Sequence, residues 1–487
     1  MRLLKDILFR TRIQEVIGST NVAVEHVAMD SRLVKPFSLF VAVSGTVVDG
    51  HEFITKAIES GATAIVCERL PENKNANITY IKVSNSAEAL GYIASNYYDN
   101  PSEKIEVVAV TGTNGKTTTA TLLFSLIRKM GFKAGLLSTV ENKINENIIP
   151  STHTTPDAIS LNKLLNDMVI EGCAYCFMEA SSHALHQHRL TGVQLRGALF
   201  TNITHDHLDY HKTFNDYIKA KKILFDTLPS GAFAIVNHDD RHSEVMLQNC
   251  KARKKTMALQ SMADYRAKVL ENGFTGLHLT IDNQDLYTQL IGGFNAYNIL
   301  AVYAAAMELG LDKMEVLTTL STLQAPDGRF QYIKTTSGIT AIVDYAHTPD
   351  ALKNVLKTIK EIRTGTEQVI TLVGCGGDRD KTKRPEMSRI AGEFSDRIIL
   401  TSDNPRSENP ETIIQEMKAG LDPVSMKKTL AVTERAEAIK LACTLANAGD
   451  ILLIAGKGHE KYQEIAGVKH PFDDFKIVSE TLTTLDK

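Results

Sequence analysis

Long apolar runs are missing from this chain. The most tempting stretch, Ile299 to Leu311, is too short to cross a bilayer and carries Glu308, so no membrane span and no membrane partner are expected. The opening residues, Met1 to Arg10, are interrupted by Lys5, Asp6 and Arg10 and lack the apolar core of a secretory leader. Cysteine is scarce. Six in 487 residues make no disulfide framework, which fits a reducing compartment, and a cytoplasmic location is expected. Cys173 and Cys176 have CxxC spacing, but Cys173-Ala-Tyr-Cys176-Phe reads as a buried strand without a second pair, so a core role is expected. An excess of one charge is missing too, since a formal net charge of -3 gives no bulk reason to expect nucleic acid as a partner.

What is present is the composition of a folded enzyme, 43% hydrophobic and 23% charged, in a chain too long for one core. Three domains are expected, at 1–101, 102–333 and 334–487. The first boundary falls in the polar, Pro-containing run Tyr98 to Lys104, and the second near Arg329 to Gly338. Apolar runs ending in Gly, Asp, Asn or Ser alternate with helical stretches, the pattern of an α/β fold with parallel sheets. In the last segment such runs end at Asp344-Tyr345, Cys375-Gly376, Ser402-Asp403 and Gly456-Lys457. Ligand groups in open sheets gather at the carboxyl ends of strands, so these loops are expected to face one crevice.

The clearest motif is Gly112-Thr113-Asn114-Gly115-Lys116-Thr117-Thr118. Val107 to Val110 reads as a buried strand before it, and Thr117 to Met130 as an amphipathic helix closed by Gly131. Backbone N–H groups of such a turn cradle phosphates, Lys116 supplies a point charge, and the Thr117 hydroxyl suits Mg²⁺. Val110 stands where the standard spacing has Gly, which makes this a shorter variant of the loop. A hard Mg²⁺ bound with ATP takes oxygen ligands, and Glu179 at the next strand end provides one. The segment Asn202 to His211 crowds His and Asp residues at another strand end; zinc is the competing reading there, opposed by the lack of an HExxH or Cys pair.

The phosphate loop, Asp206-His207-Leu208-Asp209-Tyr210-His211, Gly293 to Asn298 and Asp344-Tyr345-Ala346-His347-Thr348-Pro349-Asp350 together resemble the Mur ligases of peptidoglycan synthesis, within them the MurE branch. The resemblance runs from Asp30-Ser31-Arg32 to Gly456-Lys457-Gly458-His459-Glu460. It implies three domains, with a central P-loop ATPase-type sheet and a C-terminal Rossmann-like domain. It also implies an ATP-dependent ligase of cell-wall biogenesis, and hence of cell shape and division. The acceptor would be UDP-N-acetylmuramoyl-L-alanyl-D-glutamate, the products would include ADP and phosphate, and a monomer is expected. By resemblance His207 is a second Mg²⁺ ligand and Lys221 a carbamylated lysine, with Lys222 as its competitor. Asn295 and Asn298 match the adenine-side motif, Arg329 a phosphate contact and Asp344 a ribose contact. Ser31, Gly45, Asp49, Gly50 and His51 match the UDP end; Thr154, Thr155, Ser182, His183 and Arg189 match the muramoyl-dipeptide positions. One departure is Pro36-Phe37-Ser38-Leu39-Phe40, where the family usually has Gly at the second position; it puts the turn geometry in question.

Asp403-Asn404-Pro405-Arg406 resembles the signature of the diaminopimelate-adding branch. A guanidinium fork binds the distal carboxylate that meso-diaminopimelate has and lysine lacks. Arg384, Gly456 and Glu460 join that set by resemblance, Glu460 being suited to an ammonium. The competing readings are a lysine-adding relative, a folylpolyglutamate synthetase-like ligase sharing the ATP core, and a nucleotide-binding regulator without catalysis.

Overall fold

Val107, Val108, Ala109 and Val110 are fully buried in the strand Glu106–Thr111, near the middle of an eleven-stranded sheet. The strand pairs in parallel with Tyr175–Glu179 on one side and Gly197–Phe200 on the other. An uninterrupted apolar run suits a strand whose two faces are both covered. Helices Lys116–Lys129 and Gly293–Glu308 cover one face, packing Leu123, Leu126 and Leu300 against Phe177 and Leu199. Helices Ala158–Ile170 and Phe214–Asp226 cover the other, around Met178, Phe200 and Tyr217. The sheet ends in an antiparallel meander, Tyr265–Gly273, Gly276–Ile281 and Gln284–Thr288. This computed structural model describes residues 1–45, 48–151 and 153–487, apart from the side chains of Leu208 and Asp209 in the DHLDYH motif.

Two smaller sheets flank this one in sequence. The first, five-stranded, runs Ile13–Ile17, Thr79–Val83, Ala62–Cys67, Ser38–Val41, His26–Ala28, with only the Ile13–Ile17 edge antiparallel. The last, six-stranded, runs Gln331–Lys334, Thr340–Asp344, Ile451–Ala455, Val369–Cys375, Arg397–Ser402, Thr429–Ala431. Its strands are parallel except Gln331–Lys334, which spans the expected cut at 333 and pairs with this sheet. Because four parallel neighbours end at Asp344, Ala455, Cys375 and Ser402, their following loops emerge along one edge, as expected from the polar residues at those strand ends.

Helix Gly293–Glu308 absorbs most of the apolar run that began at Ile299, buried among the core residues of the large sheet. Among the described residues no helix is long and apolar enough to cross a membrane. All six cysteines are buried and unpaired, and burial pushes the Cys176 thiol up. Phe37 adopts φ +62, in the left-handed region that favours glycine. A side chain in that region costs about 1–2 kcal/mol.

Candidate functional site

The phosphate loop follows Glu106–Thr111 directly and feeds helix Lys116–Lys129. Two of its glycines are structurally required. Gly112 has φ +151, and a Cβ there would fall 1.9 Å from Thr201 Oγ1; Gly115 has φ +86, and its Cβ would meet Asn298 Oδ1 at 2.6 Å. Position 110 belongs to the strand, paired with Glu179 and Leu199, so the loop has no room for the longer spacing. Thr113 to Thr118 line a cavity of about 690 Å³ together with Thr154, Glu179, Ser182, His207, Lys221, Asn295, Asn298, Arg329 and Asp344. Gly112 is not in that lining; its carbonyl is the acceptor on which two lysines converge.

Lys116 Nζ donates to the carbonyls of Gly112 and Thr113 at 2.9 and 2.8 Å. Lys221 Nζ donates to the same Gly112 carbonyl at 2.7 Å, above the Tyr217 ring at 4.6 Å. Burial first, then the neighbouring Lys116 charge, holds the Lys221 ammonium well below its usual value. Lys116 is also lowered by burial. A desolvated amine beside another cation is poised to lose its proton, and the neutral form is the nucleophile toward CO₂. Lys222 instead turns to Asp226 on its own helix.

Glu179 is fully buried; its Oε1 accepts from the Thr139 N–H at 2.7 Å, while its Oε2 has no hydrogen-bond partner among the described residues. An orphaned buried carboxylate oxygen lining a cavity with the Thr117 hydroxyl fits a hard cation. His207, at φ +54, lines the same wall, and burial lowers its imidazole so that it stays a neutral potential ligand. Arg329 Nη2 donates to Thr117 Oγ1 at 3.1 Å, and its guanidinium stacks 4.6 Å from the Tyr345 ring. Asn298 Nδ2 donates to Asn295 Oδ1 at 2.9 Å, and Asn295 Nδ2 to the Ile291 carbonyl at 2.8 Å, which fixes both amides in the cavity wall beside Gly115.

Asp344 ends its strand, accepts from the Phe330 N–H at 2.7 Å and is pushed up to about 6 by burial against the pull of Arg329. Its folded pKa lies above the unfolded value, so its contribution to stability is fullest at low pH and is lost as pH rises through the folded value. Asp344→Asn is therefore expected to gain on the wild type between about pH 4 and about pH 6, reaching roughly 2–3 kcal/mol, while weakening ATP binding. Melting curves across that window, with nucleotide titration, check both signs.

A second cavity, about 1030 Å³, is lined by Ser31, Gly45, Gly50 and Arg189 with Asn85, His153, Asp157, Gln187 and Tyr210. Asp49 and His51 are not in this lining. Asp49 Oδ1 accepts from the His51 N–H at 3.1 Å and faces its Nδ1 at 2.7 Å, while His51 Nε2 accepts from the Glu68 N–H at 2.9 Å. They hold the loop that presents Gly45 and Gly50. Thr155 likewise acts inside the wall, its hydroxyl donating to the Glu179 carbonyl at 2.8 Å, and Arg189 Nη1 donates to the Thr155 carbonyl at 2.8 Å. The His183 ring packs 4.1 Å from Tyr210 and 4.9 Å from His207. Adjacent residues His153 and Thr154 line the second and the first cavity respectively, so one segment joins the two.

The C-terminal candidates gather at the edge of the last sheet. Asn404 Nδ2 donates to Glu460 Oε2 at 2.8 Å, a Cβ on Gly456 would meet Asp403 Oδ2 at 2.8 Å, and one on Gly377 would meet the Pro405 carbonyl at 1.9 Å. Arg406, at φ +52, donates from Nη1 to the Gly377 carbonyl at 2.7 Å and lies 3.7 Å from Glu464. Arg384 departs from expectation. In the first turn of Lys383–Phe394 it is 1% exposed, its guanidinium taken up by both oxygens of Glu408, by Glu416 and by the Gly376 carbonyl. That leaves it structural, and the exposed arginine on the rim is Arg379, whose Cγ, like the Arg406 guanidinium, abuts Gly376. Arg384→Ala is expected to cost about 2 kcal/mol, below the range for a fully buried pair because Glu416 reaches solvent. A thermal melt reads this directly.

Family models match three successive stretches: the Mur ligase family catalytic domain over 23–98, the Mur ligase middle domain over 110–306, and the Mur ligase glutamate ligase domain over 328–458. A Cytophaga hutchinsonii protein named UDP-N-acetylmuramoyl-L-alanyl-D-glutamate–2,6-diaminopimelate ligase is 57% identical over 485 residues, covering 99% of this chain and 100% of the relative. The chain belongs to the Mur ligase family. A Bacteroides thetaiotaomicron relative of the same name is 52% identical over 98% of this chain and 99% of its own. A solved structure with that name superimposes with a TM-score of 0.68 at 34% identity, covering 95% of this chain and 96% of the other. A folylpolyglutamate synthase from Mycobacterium tuberculosis, 16% identical at a TM-score of 0.62, shares the fold over 76% of this chain and 92% of its own.

This Mur ligase also carries groups that motif reading overlooked. Asp350, in the first turn of helix Pro349–Ile362, accepts from Asn114 Nδ2 at 2.9 Å and from the Thr204 hydroxyl at 3.1 Å, tying the last sheet's unit to the phosphate loop. His347 lines the cavity and is lowered to about 4 by burial, so it stands there as a neutral ring. Asp239 accepts the Leu259, Gln260 and Ser261 N–H groups and the Tyr297 hydroxyl, bracing the wall beyond Asn295. Asp350 and His347 sat in the quoted DYAHTPD motif and were available as polar residues; Asp239 had no such signal.

Proposed function

We propose that this protein joins meso-diaminopimelate to the D-glutamate side-chain carboxylate of UDP-N-acetylmuramoyl-L-alanyl-D-glutamate with consumption of ATP. One observation carries the reading: Thr113 to Thr118 of the phosphate loop, Lys221 and the dipeptide candidates Thr154 and Ser182 line one cavity, which supports a meeting of nucleotide and carboxylate there. The choice of amine rests on Arg406, on the Asn404–Glu460 pair, and on relatives named for diaminopimelate across their full length.

A carboxylate is a poor electrophile. Its oxygen takes the γ-phosphoryl of ATP, giving an acyl phosphate and ADP, and the Lys116 ammonium with the loop N–H groups offsets the approach of two anions. The amine nitrogen then attacks the acyl carbon, and phosphate leaves the tetrahedral intermediate with the acyl C–O electrons. An alkyl ammonium has a pKa of about 10, so one proton must leave before attack. Thr117, Glu179, His207 and Lys221 as its carbamate are the residues that would hold Mg²⁺, which supplies charge neutralisation at the phosphates. Ser31, Gly45 and Gly50 bind the UDP end, with Asp49 and His51 shaping their loop; Asn295, Asn298 and Asp344 bind the nucleoside of ATP.

In this reading the chain acts in the cytoplasm as a monomer, with domains dividing near 101 and just ahead of the strand Gln331–Lys334. Mass spectrometry of the product tests it. A tripeptide nucleotide formed only when ATP, the dipeptide nucleotide and diaminopimelate are all present is expected; ATP turnover without the dipeptide nucleotide would refute it.

A further inference from the structure

Lys457 follows the strand Ile451–Ala455 by two residues and is fully buried. A buried ammonium requires acceptors, and this one has three within reach: Asn404 Oδ1 and Glu460 Oε2, each at 2.9 Å, and Asp403 Oδ1 at 3.6 Å. All three partners belong to the set assigned above to the incoming amino acid. Lys457 itself is donor-only, and so is the Glu464 N–H that meets Asn404 Oδ1 at 2.9 Å. Two donors on Oδ1 leave only one orientation for the Asn404 amide, with Nδ2 turned to Glu460.

The same contacts divide the Glu460 carboxylate. Oε2 is committed to Lys457 and to Asn404, and no hydrogen bond to Oε1 is found among the described residues. Asn404 Nδ2 spends one of its two hydrogens on Glu460. What remains is an acceptor and a donor side by side. That pairing suits a zwitterionic carbon bearing both an ammonium and a carboxylate, and suits a lone ammonium less well. The positive charge of Lys457 also offsets one of the two carboxylates, Asp403 and Glu460, that would otherwise repel the ligand's own carboxylate.

We propose that Lys457 is a positioning residue for recognition of the amino-acid substrate: it fixes the Asn404 amide, reserves one Glu460 oxygen for the ligand ammonium and lowers the negative charge of the site. The inference rests on the diaminopimelate reading of the preceding section. Lys457→Met frees the amide to turn and leaves Glu460 and Asp403 uncompensated. The KM for diaminopimelate is expected to rise about tenfold or more, and its advantage over lysine to shrink, since each lost buried contact to a charge is worth about one such factor.

The test is steady-state phosphate release by the full chain with each substrate varied in turn, for wild type, K457M, E460Q and the double variant. Support is a rise in KM confined to diaminopimelate, with the KM values for ATP and the dipeptide nucleotide within about twofold. The effect of K457M should also shrink in the E460Q background, because part of it acts through the Lys457–Glu460 contact that both variants disturb. An unchanged KM for diaminopimelate overturns the proposal. So does an equal rise in all three KM values with a lower Tm, or an undiminished effect of K457M beside E460Q. Where K457M fails to fold, K457Q, which keeps a donor without the charge, is read by the same criteria. Wild-type enzyme that releases no phosphate with diaminopimelate would instead sink the amine assignment itself, an outcome separable from these.

Discussion

Lys116→Met is expected to lower kcat about 10²–10³-fold while leaving the fold intact, the size expected for removing one preorganised charge from a transition state. The methionine keeps the stem that fills the loop and removes only the ammonium. In the structure that ammonium rests on the Gly112 and Thr113 carbonyls, two neutral acceptors within its own turn. Neither is a structural partner that would be left charged and unpaired, so a large loss of stability is not expected. The second consequence is local. The Lys116 charge helps to hold the Lys221 ammonium below its usual value, so its removal relieves part of that shift, although burial keeps most of it. Phosphate-release kinetics with a thermal melt separate the two effects; activity within a few-fold of wild type would remove the loop from the chemistry.

Arg406→Met is expected to lower kcat/KM for diaminopimelate about 100-fold and to leave the low rate with lysine nearly unchanged. The guanidinium is placed by backbone, not by chance. Arg406 accepts from the Ala466 N–H at 2.7 Å and donates its own N–H to the Glu464 carbonyl at 3.1 Å, which holds its φ at +52. The Nη1 contact to the Gly377 carbonyl aims the fork across Gly376, where a side chain would lie 2.9 Å from it. Glu464 at 3.7 Å is a loose partner, leaving donors for a carboxylate. Arg406→Lys retains the charge but not the fork, and an intermediate loss is expected from it.

How much of this was legible in the sequence depends on the kind of constraint. The phosphate loop was legible because its glycines answer to local sterics: Gly112 against Thr201 and Gly115 against Asn298. Strands buried on both faces announced themselves as unbroken apolar runs, with the ends misplaced by a residue, as at Glu106–Thr111. Side-chain direction was not legible. Arg384 and Arg379 lie five residues apart, and only the start of helix Lys383–Phe394 decides that the first turns into Glu408 and Glu416. Asp49 and His51 match the motif for a nucleotide end, yet their side chains serve the loop itself. Contacts between distant segments, such as Asn114 with Asp350, leave no local pattern at all. The left-handed backbone at Phe37 was not legible either, since no glycine or asparagine marks it.

The central claim is that this Mur ligase selects diaminopimelate by its distal carboxylate. The most direct measurement is the ratio of kcat/KM for meso-diaminopimelate to that for L-lysine, read as phosphate release at saturating ATP and dipeptide nucleotide. The account predicts a ratio of about 10³ or more, because lysine leaves the Arg406 donors without their anion in a site built to bind one. A ratio near one would contradict it.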